Sequence, residues 1–201
     1  MTIKCILFDV DWVIITSEKF SLQYSKNFNI SIDKLSPFFI TDFKKCIIWN
    51  WDLKELIKPW ILKWNFEWNV DDFLKLWFDS SRVIDYRMID FVNKCKQDWI
   101  FCYLATNQEK YRTGYMKNQM WFDKIFDWIF SSCYIWAKKP NIEYFDYILN
   151  KLKNDYNINS DEILFIDDLN KNIETAKKMW IKTHLYKEFE ELNKYFNKWI
   201  I

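Results

Sequence analysis

The sequence predicts an α/β fold, a parallel sheet flanked by helices with an all-helical subdomain inserted near its start. Three observations carry this. From about residue 84 onward, short apolar runs alternate with amphipathic stretches of helix length, as parallel strand–helix–strand crossovers require. The early run KCILFDVD has the same buried-strand character, with its acidic end at the carboxyl side. Between the two, residues 16–83 carry helical spacing and no convincing strand.

Taken in order, residues 4–10 form the first strand and residues 16–30 an amphipathic helix. Ser36-Pro37 breaks the stretch that follows. Helices over 52–62 and 70–78 follow from the spacing of Leu53, Leu56 and Ile57 and of Phe73, Leu74 and Trp77. Beyond them the alternation sets in: helix 86–97, strand 100–106, helix 109–120, strand 128–132, helix 142–153, strand 162–166, helix 170–179, short strand 182–185 and a last helix over 188–198. The arrangement is Rossmann-like. Residues 1–15 and 84–201 make the core and residues 16–83 an inserted helical cap. There is no internal repeat and no low-complexity linker.

Composition narrows the function. The chain has 201 residues and a formal net charge of +1, from 29 Lys+Arg against 28 Asp+Glu. No basic excess points to nucleic acid. No apolar run approaches the roughly 20 residues of a membrane helix. The opening MTIKCILFDV lacks the features of a signal peptide. Five scattered cysteines without a CxxC read as reduced thiols of a cytosolic protein. The single histidine, His184, excludes a multi-histidine metal site and reads as structural. Oligomeric state is not legible.

In an open parallel sheet the ligand site lies at the carboxyl ends of the strands. The residues expected there are Asp9 and Asp11 after the first strand and Thr106-Asn107 after the second. Lys138-Lys139-Pro140 follows the third, and Asp167-Asp168 the fourth. Singly, each has an ordinary explanation: a turn, a helix cap, a solvated pair. Jointly, four carboxylates at one sheet edge repel unless cations compensate. A hard divalent ion with oxygen ligands, such as Mg²⁺, and a lysine supply that compensation. A hydroxyl and backbone amides after the second strand suit phosphate oxygens. Such a site favours phosphoryl transfer, where catalysis is mostly placement of charge.

FDVDWVI, LATNQ, Lys139-Pro140 and FIDDLNKNIETA resemble the four motifs of the haloacid dehalogenase-like (HAD) hydrolases, and the helical insert resembles that family's small cap. The resemblance implies a phosphatase acting on a small phosphorylated metabolite. Asp9 is then the nucleophile that becomes an aspartyl-phosphate. Asp11 is the acid that protonates the leaving group and the base that activates water. Thr106 holds phosphoryl oxygens with Asn107 beside it, and Lys139 neutralises charge. Asp9, Asp167, Asp168 and the backbone carbonyl of Asp11 serve Mg²⁺, and Asn172 has a supporting place. The dehalogenases of the superfamily lack the second aspartate, so Asp11 and the acidic pair favour phosphatase over dehalogenase. A phosphomutase uses the same residues, and a non-catalytic binding module is the reading from another class.

One departure is systematic. The family motif has glycine where Trp12 stands. Trp99, Trp121, Trp136 and Trp180 likewise occupy helix exits or loops where glycine is expected. Trp49, Trp51, Trp60 and Trp68 fall in expected cap turns. The single glycine and thirteen tryptophans together match the roughly 14 glycines that ordinary usage of about 7% gives a chain this long. The pattern reads as a gene in which UGA encodes glycine, written out with a table in which it encodes tryptophan. Trp77, on the apolar face of a helix, reads as a genuine tryptophan; Trp64 and Trp199 are left open.

Overall fold

Five parallel strands form one sheet in the order β3-β2-β1-β4-β5. They are β1 (Cys5–Phe8), β2 (Phe101–Thr106), β3 (Trp128–Ser131), β4 (Ile163–Asp167) and β5 (Lys182–Leu185). The computed structural model describes residues 2–196. The chain order reverses between β1 and β4, so the crevice at the carboxyl end of the central strand is the topological switch point.

Strand alternation explains how both faces are covered. Ile6, Phe8, Cys102, Leu104, Leu164 and Ile166 point to one face. There they pack on helix α6 (Tyr86–Gln97), through Phe91 and Val92, and on α12 (Phe189–Phe196), through Leu192 and Phe196. The intervening Cys5, Leu7, Tyr103, Ala105, Ile163 and Phe165 point to the other. They meet α10 (Ile142–Tyr156) through Tyr144, Phe145 and Ile148, and α11 (Asn170–Lys178) through Ile173 and Ala176. Helix α7 (Lys110–Asn118) follows β2, and the short helices α8 (Phe122–Ile125) and α9 (Ser132–Ile135) flank β3. All five cysteines are buried and unbridged. Among the described residues, no helix is long and apolar enough to cross a membrane.

The helical segment has five helices: α1 (Phe20–Phe28), α2 (Ile32–Ile40), α3 (Asp42–Cys46), α4 (Leu53–Lys63) and α5 (Val70–Ser80). They share an aromatic-rich core of their own, including Phe20, Tyr24, Phe38, Trp64, Phe73 and Trp77. Helices α2 and α3 are additions to the sequence reading, and Ser36-Pro37 breaks nothing. Helix α2 runs through Pro37, whose carbonyl accepts the Thr41 amide at 3.0 Å. Proline removes one donor but leaves its own carbonyl in the ladder, and burial of Leu35 and Phe38 offsets the lost bond. Trp60 lies inside α4, not in a turn. The last helix is described only to Phe196; the expected remainder, and Trp199, lie outside the described residues.

Nine described residues other than glycine have positive φ. Three are asparagines, which tolerate this region; the other six are Trp12, Trp49, Trp99, Trp121, Trp136 and Trp180. The chain's one glycine, Gly114, lies in α7 without a positive φ. At Trp49, Trp99 and Trp180 the next residue's amide reaches back five residues, to the carbonyls of Lys45, Cys95 and Ala176. That is the Schellman helix exit, built for a left-handed residue. Burial agrees at the extremes, although Trp51, Trp68 and Trp128 are exposed without a positive φ. Trp99 is 92% exposed and Trp180 80%, whereas Trp64 is 2% exposed and Trp77 8%. Trp64 also donates its indole N–H to the Lys34 carbonyl at 3.0 Å, as a genuine core tryptophan does.

His184 is buried on β5, its ring 4.7 Å from that of Tyr195. Burial, opposed by Glu191, holds its pKa below the ordinary 6.5. A histidine harder to protonate in the fold than in the unfolded chain contributes stability that is complete above the unfolded value. That stability is lost as pH falls through the folded one. Replacing His184 by Phe is therefore expected to flatten the decline of the urea midpoint below about pH 6.5. An unchanged slope in the variant would contradict this.

Candidate active site

Strand β1 ends at Phe8, so Asp9 is the first residue past the central strand, and its amide still bonds the Ile166 carbonyl at 2.9 Å. The chain then folds into a tight loop, with the Ile15 amide on the Val10 carbonyl at 2.8 Å and the Trp12 amide on the Ile15 carbonyl at 2.7 Å. This turn separates two carboxylates only two positions apart. Asp9 is buried, and Asp11 is exposed at the mouth of the cleft.

Lys139 organises the floor. Its buried ammonium lies 2.8 Å from Asp9 Oδ1 and 2.6 Å from Asp167 Oδ2, bridging the ends of β1 and β4. Burial works against its charge, but Asp9 and then Asp167 more than offset this and hold its pKa above the usual lysine value. Asp167 is held from the other side as well. Leu169 donates its amide to Oδ1 at 2.8 Å, and the buried Asn172 amide donates to both oxygens at 2.9 and 3.0 Å.

Asp9, Asp167 and the half-buried Asp168 offer carboxylate oxygens that lie within 4.8 Å of one another. Burial, the largest effect, and the neighbouring Asp167 together push the Asp9 carboxyl up to about 8 against the pull of Lys139. Asp168 is raised by burial and then by Asp167. One lysine does not balance three crowded carboxylates. An oxygen-only donor set with unspent negative charge fits a hard divalent cation. The Asp11 side chain stands outside this cluster.

Asp11 instead accepts a hydrogen bond from Gln108 Nε2 at 2.6 Å. The protein surrounding the cleft raises its carboxyl, opposed first by Arg112, then by Lys139 and Gln108. A carboxyl free of the metal cluster and oriented by an amide is placed to exchange protons with a bound substrate.

Thr106 is buried at the end of β2. The Asn107 side chain is used on protein: it accepts the Lys139 amide at 2.9 Å and donates to the Lys139 carbonyl at 2.9 Å. That reciprocal pair fixes the loop carrying the ammonium, so Asn107 positions Lys139. Lys138 is half-buried and makes none of these contacts, as expected of the weaker of the two lysines.

The sequence reading missed Gln108 and Arg112. Gln108 stands inside the LATNQ motif, where its place one residue before Glu109, the N-cap of α7, was the available signal. Arg112 gave a weaker one, as one of three arginines in the chain, on a helix that follows the second strand. It is buried and donates to the carbonyls of Phe78, at 3.0 Å, and Ser81. These bonds join α7 to the end of α5.

A model of the haloacid dehalogenase-like hydrolases matches residues 6–186. The chain belongs to this family. The HAD assignment agrees with solved structures that share the fold. A HAD family enzyme of Bacteroides thetaiotaomicron is 19% identical with a TM-score of 0.80, over 98% of this chain and 99% of that one. The same enzyme has been solved with magnesium and inorganic phosphate. A HAD-like family hydrolase of Porphyromonas gingivalis is 18% identical with a TM-score of 0.77, over 100% and 98% of the two chains. A HAD phosphatase of Thermococcus onnurineus is 18% identical with a TM-score of 0.61, over 90% and 85%. No curated protein matches the sequence. The chain is thus a HAD-like hydrolase, with the parallel sheet and flanking helices of that fold.

Proposed function

We propose that this HAD-like hydrolase is a Mg²⁺-dependent phosphatase of small phosphomonoesters that works through an aspartyl-phosphate on Asp9. The observation that carries the reading is the Lys139 ammonium between Asp9 and Asp167, with Asp168 completing a divalent-cation donor set and Asp11 held apart from it. The magnesium and phosphate bound by the Bacteroides enzyme are consistent with this chemistry. Residues 1–15 and 84–201 serve as the catalytic core and residues 16–83 as a cap over it. The buried thiols suit the reducing cytosol.

Asp9 attacks phosphorus with one carboxylate oxygen, and the bond to the leaving oxygen breaks. Asp11 gives its proton to that oxygen, then takes one from water as the water attacks the phosphoryl group and releases Asp9 with inorganic phosphate. Thr106 and the backbone after it hold the phosphoryl oxygens, and Lys139 balances charge on Asp9 and the phosphate. Mg²⁺ held by Asp9, Asp167, Asp168 and the Asp11 carbonyl would neutralise charge between nucleophile and phosphate. Asn107 and Asn172 act through Lys139 and Asp167.

Chelation is the direct test. Phosphate release from a generic aryl phosphate is expected to vanish with excess EDTA and to return when Mg²⁺ is restored. Undiminished release in EDTA would overturn the metal-dependent reading.

A further inference from the structure

Between core and cap lies a cavity of about 360 Å³ that opens onto Asp11. Its volume falls within the ~300–1,000 Å³ of small-molecule sites. On the core side the wall is polar, formed by Asp11, Asn107, Gln108 and the buried Arg112. On the cap side it is a set of rings: Phe20, Phe39, Phe43, Trp77 and Phe78.

These rings form a fixed surface. Phe20 and Trp77 stack at 5.2 Å with their planes 17° apart, and Phe39 and Phe43 stand against Trp77 at 5.3 and 5.2 Å. Phe39 and Phe43 are only half-buried, so ring surface is left for a ligand. The remaining polar groups on the wall are Ser17, Glu18 and Lys19, from the segment that joins core to cap, Ser21 in α1 and Ser81 at the end of α5. The five cap rings offer one hydrogen-bonding group, the Trp77 indole N–H.

We propose that the physiological leaving group is a flat, largely apolar alcohol, aromatic or heteroaromatic, and not a polyhydroxylated sugar. This rests on the phosphatase reading and names its substrate class. With the phosphoryl group on Asp9, the ester oxygen faces Asp11, and the rest of the alcohol extends into this cavity. Sugar hydroxyls brought against the ring wall give up water without replacement partners there, which disfavours their binding. An aromatic alcohol instead exchanges water for offset and edge-on ring contacts. Trp12 borders the cavity from the core loop and is not one of the five rings of the opposite wall.

The test compares two esters of primary alcohols, 2-naphthylmethyl phosphate and glucose 6-phosphate, with Mg²⁺ and the unaltered chain. Phosphate release is expected to show a kcat/KM roughly 100-fold higher for the naphthylmethyl ester. Equal or better turnover of glucose 6-phosphate overturns the inference and leaves the phosphatase reading intact. Turnover of neither overturns both. Phe43→Ala is expected to lower the naphthylmethyl-to-glucose ratio about tenfold. Phe39→Leu, which removes a ring while keeping apolar bulk, should lower it in the same direction. Ratios unchanged in both variants would overturn the assignment of the ring wall.

Discussion

Asp9→Asn is expected to abolish hydrolysis, lowering the turnover of an aryl phosphate with Mg²⁺ by on the order of 10⁴-fold or more. Losses of this size follow removal of a nucleophile on which the remaining catalytic groups depend. The amide oxygen is a poor nucleophile toward phosphorus, and the neutral side chain also gives up the anionic oxygen that faces Lys139 at 2.8 Å. The fold should survive the change, because Lys139 keeps Asp167 at 2.6 Å and Asp167 keeps Asn172. An unchanged circular dichroism spectrum would show that the loss is chemical. Substantial turnover by a folded Asn variant would remove Asp9 from the nucleophile role and with it the proposed mechanism.

Replacing Trp99, Trp121, Trp136 and Trp180 together by glycine is expected to stabilise the protein substantially. Each holds φ between 61 and 64°. A left-handed side chain costs roughly 1–2 kcal/mol, and the extra freedom of glycine in the unfolded chain returns part of that gain. A net gain of about 1 kcal/mol per site, summed over separated positions, gives about 4 kcal/mol. With a urea dependence of about 2 kcal/mol/M, the midpoint should rise by about 2 M. These four indoles are mostly exposed, so little packing is lost. Equal midpoints would show that the chain has accommodated its tryptophans. The nucleotide sequence is an independent check: UGG codons at these positions would end the genetic-code explanation, while UGA codons would support it. Trp12, at φ 67° beside Asp11, belongs to the same class, and its replacement by glycine should increase turnover by uncrowding the nucleophile loop.

Most of the sheet was legible from the chain because its signals are local. Residues 182–185 form a strand as expected, helix 86–97 has the expected bounds, and the other strands of the sheet differ by one or two residues. Buried parallel strands appear as continuous apolar runs, and helix exits need particular backbone conformations, so both leave marks within a few residues. The inserted helical segment was read less well. Pro37 is a local breaker, but the burial of Leu35 and Phe38 against distant helices overrides it.

The site divides along the same line. That Asp9, Asp11, Thr106, Lys139, Asp167 and Asp168 lie at or after the ends of strands could be read from order and spacing, as could the left-handed turns at Trp12, Trp99, Trp121, Trp136 and Trp180, whereas of Trp49, Trp51, Trp60 and Trp68 only Trp49 holds one. What each side chain touches could not. The Asn107 side chain holds the backbone of Lys139, and Asp11 accepts from Gln108, 97 residues away in sequence. Arg112 ties α7 to α5, and the rings of four helices of the inserted segment, α1, α2, α3 and α5, meet in one wall of the cavity that Asp11 lines. The sequence by itself determined the alternation of elements, the acids at the strand ends and the turns that call for glycine, because each is a property of neighbouring residues. Contacts across the fold set the strand order, the pairing of the buried charges and the shape of the cavity beside Asp11. Those depend on contacts between segments far apart in the chain, which no local spacing records.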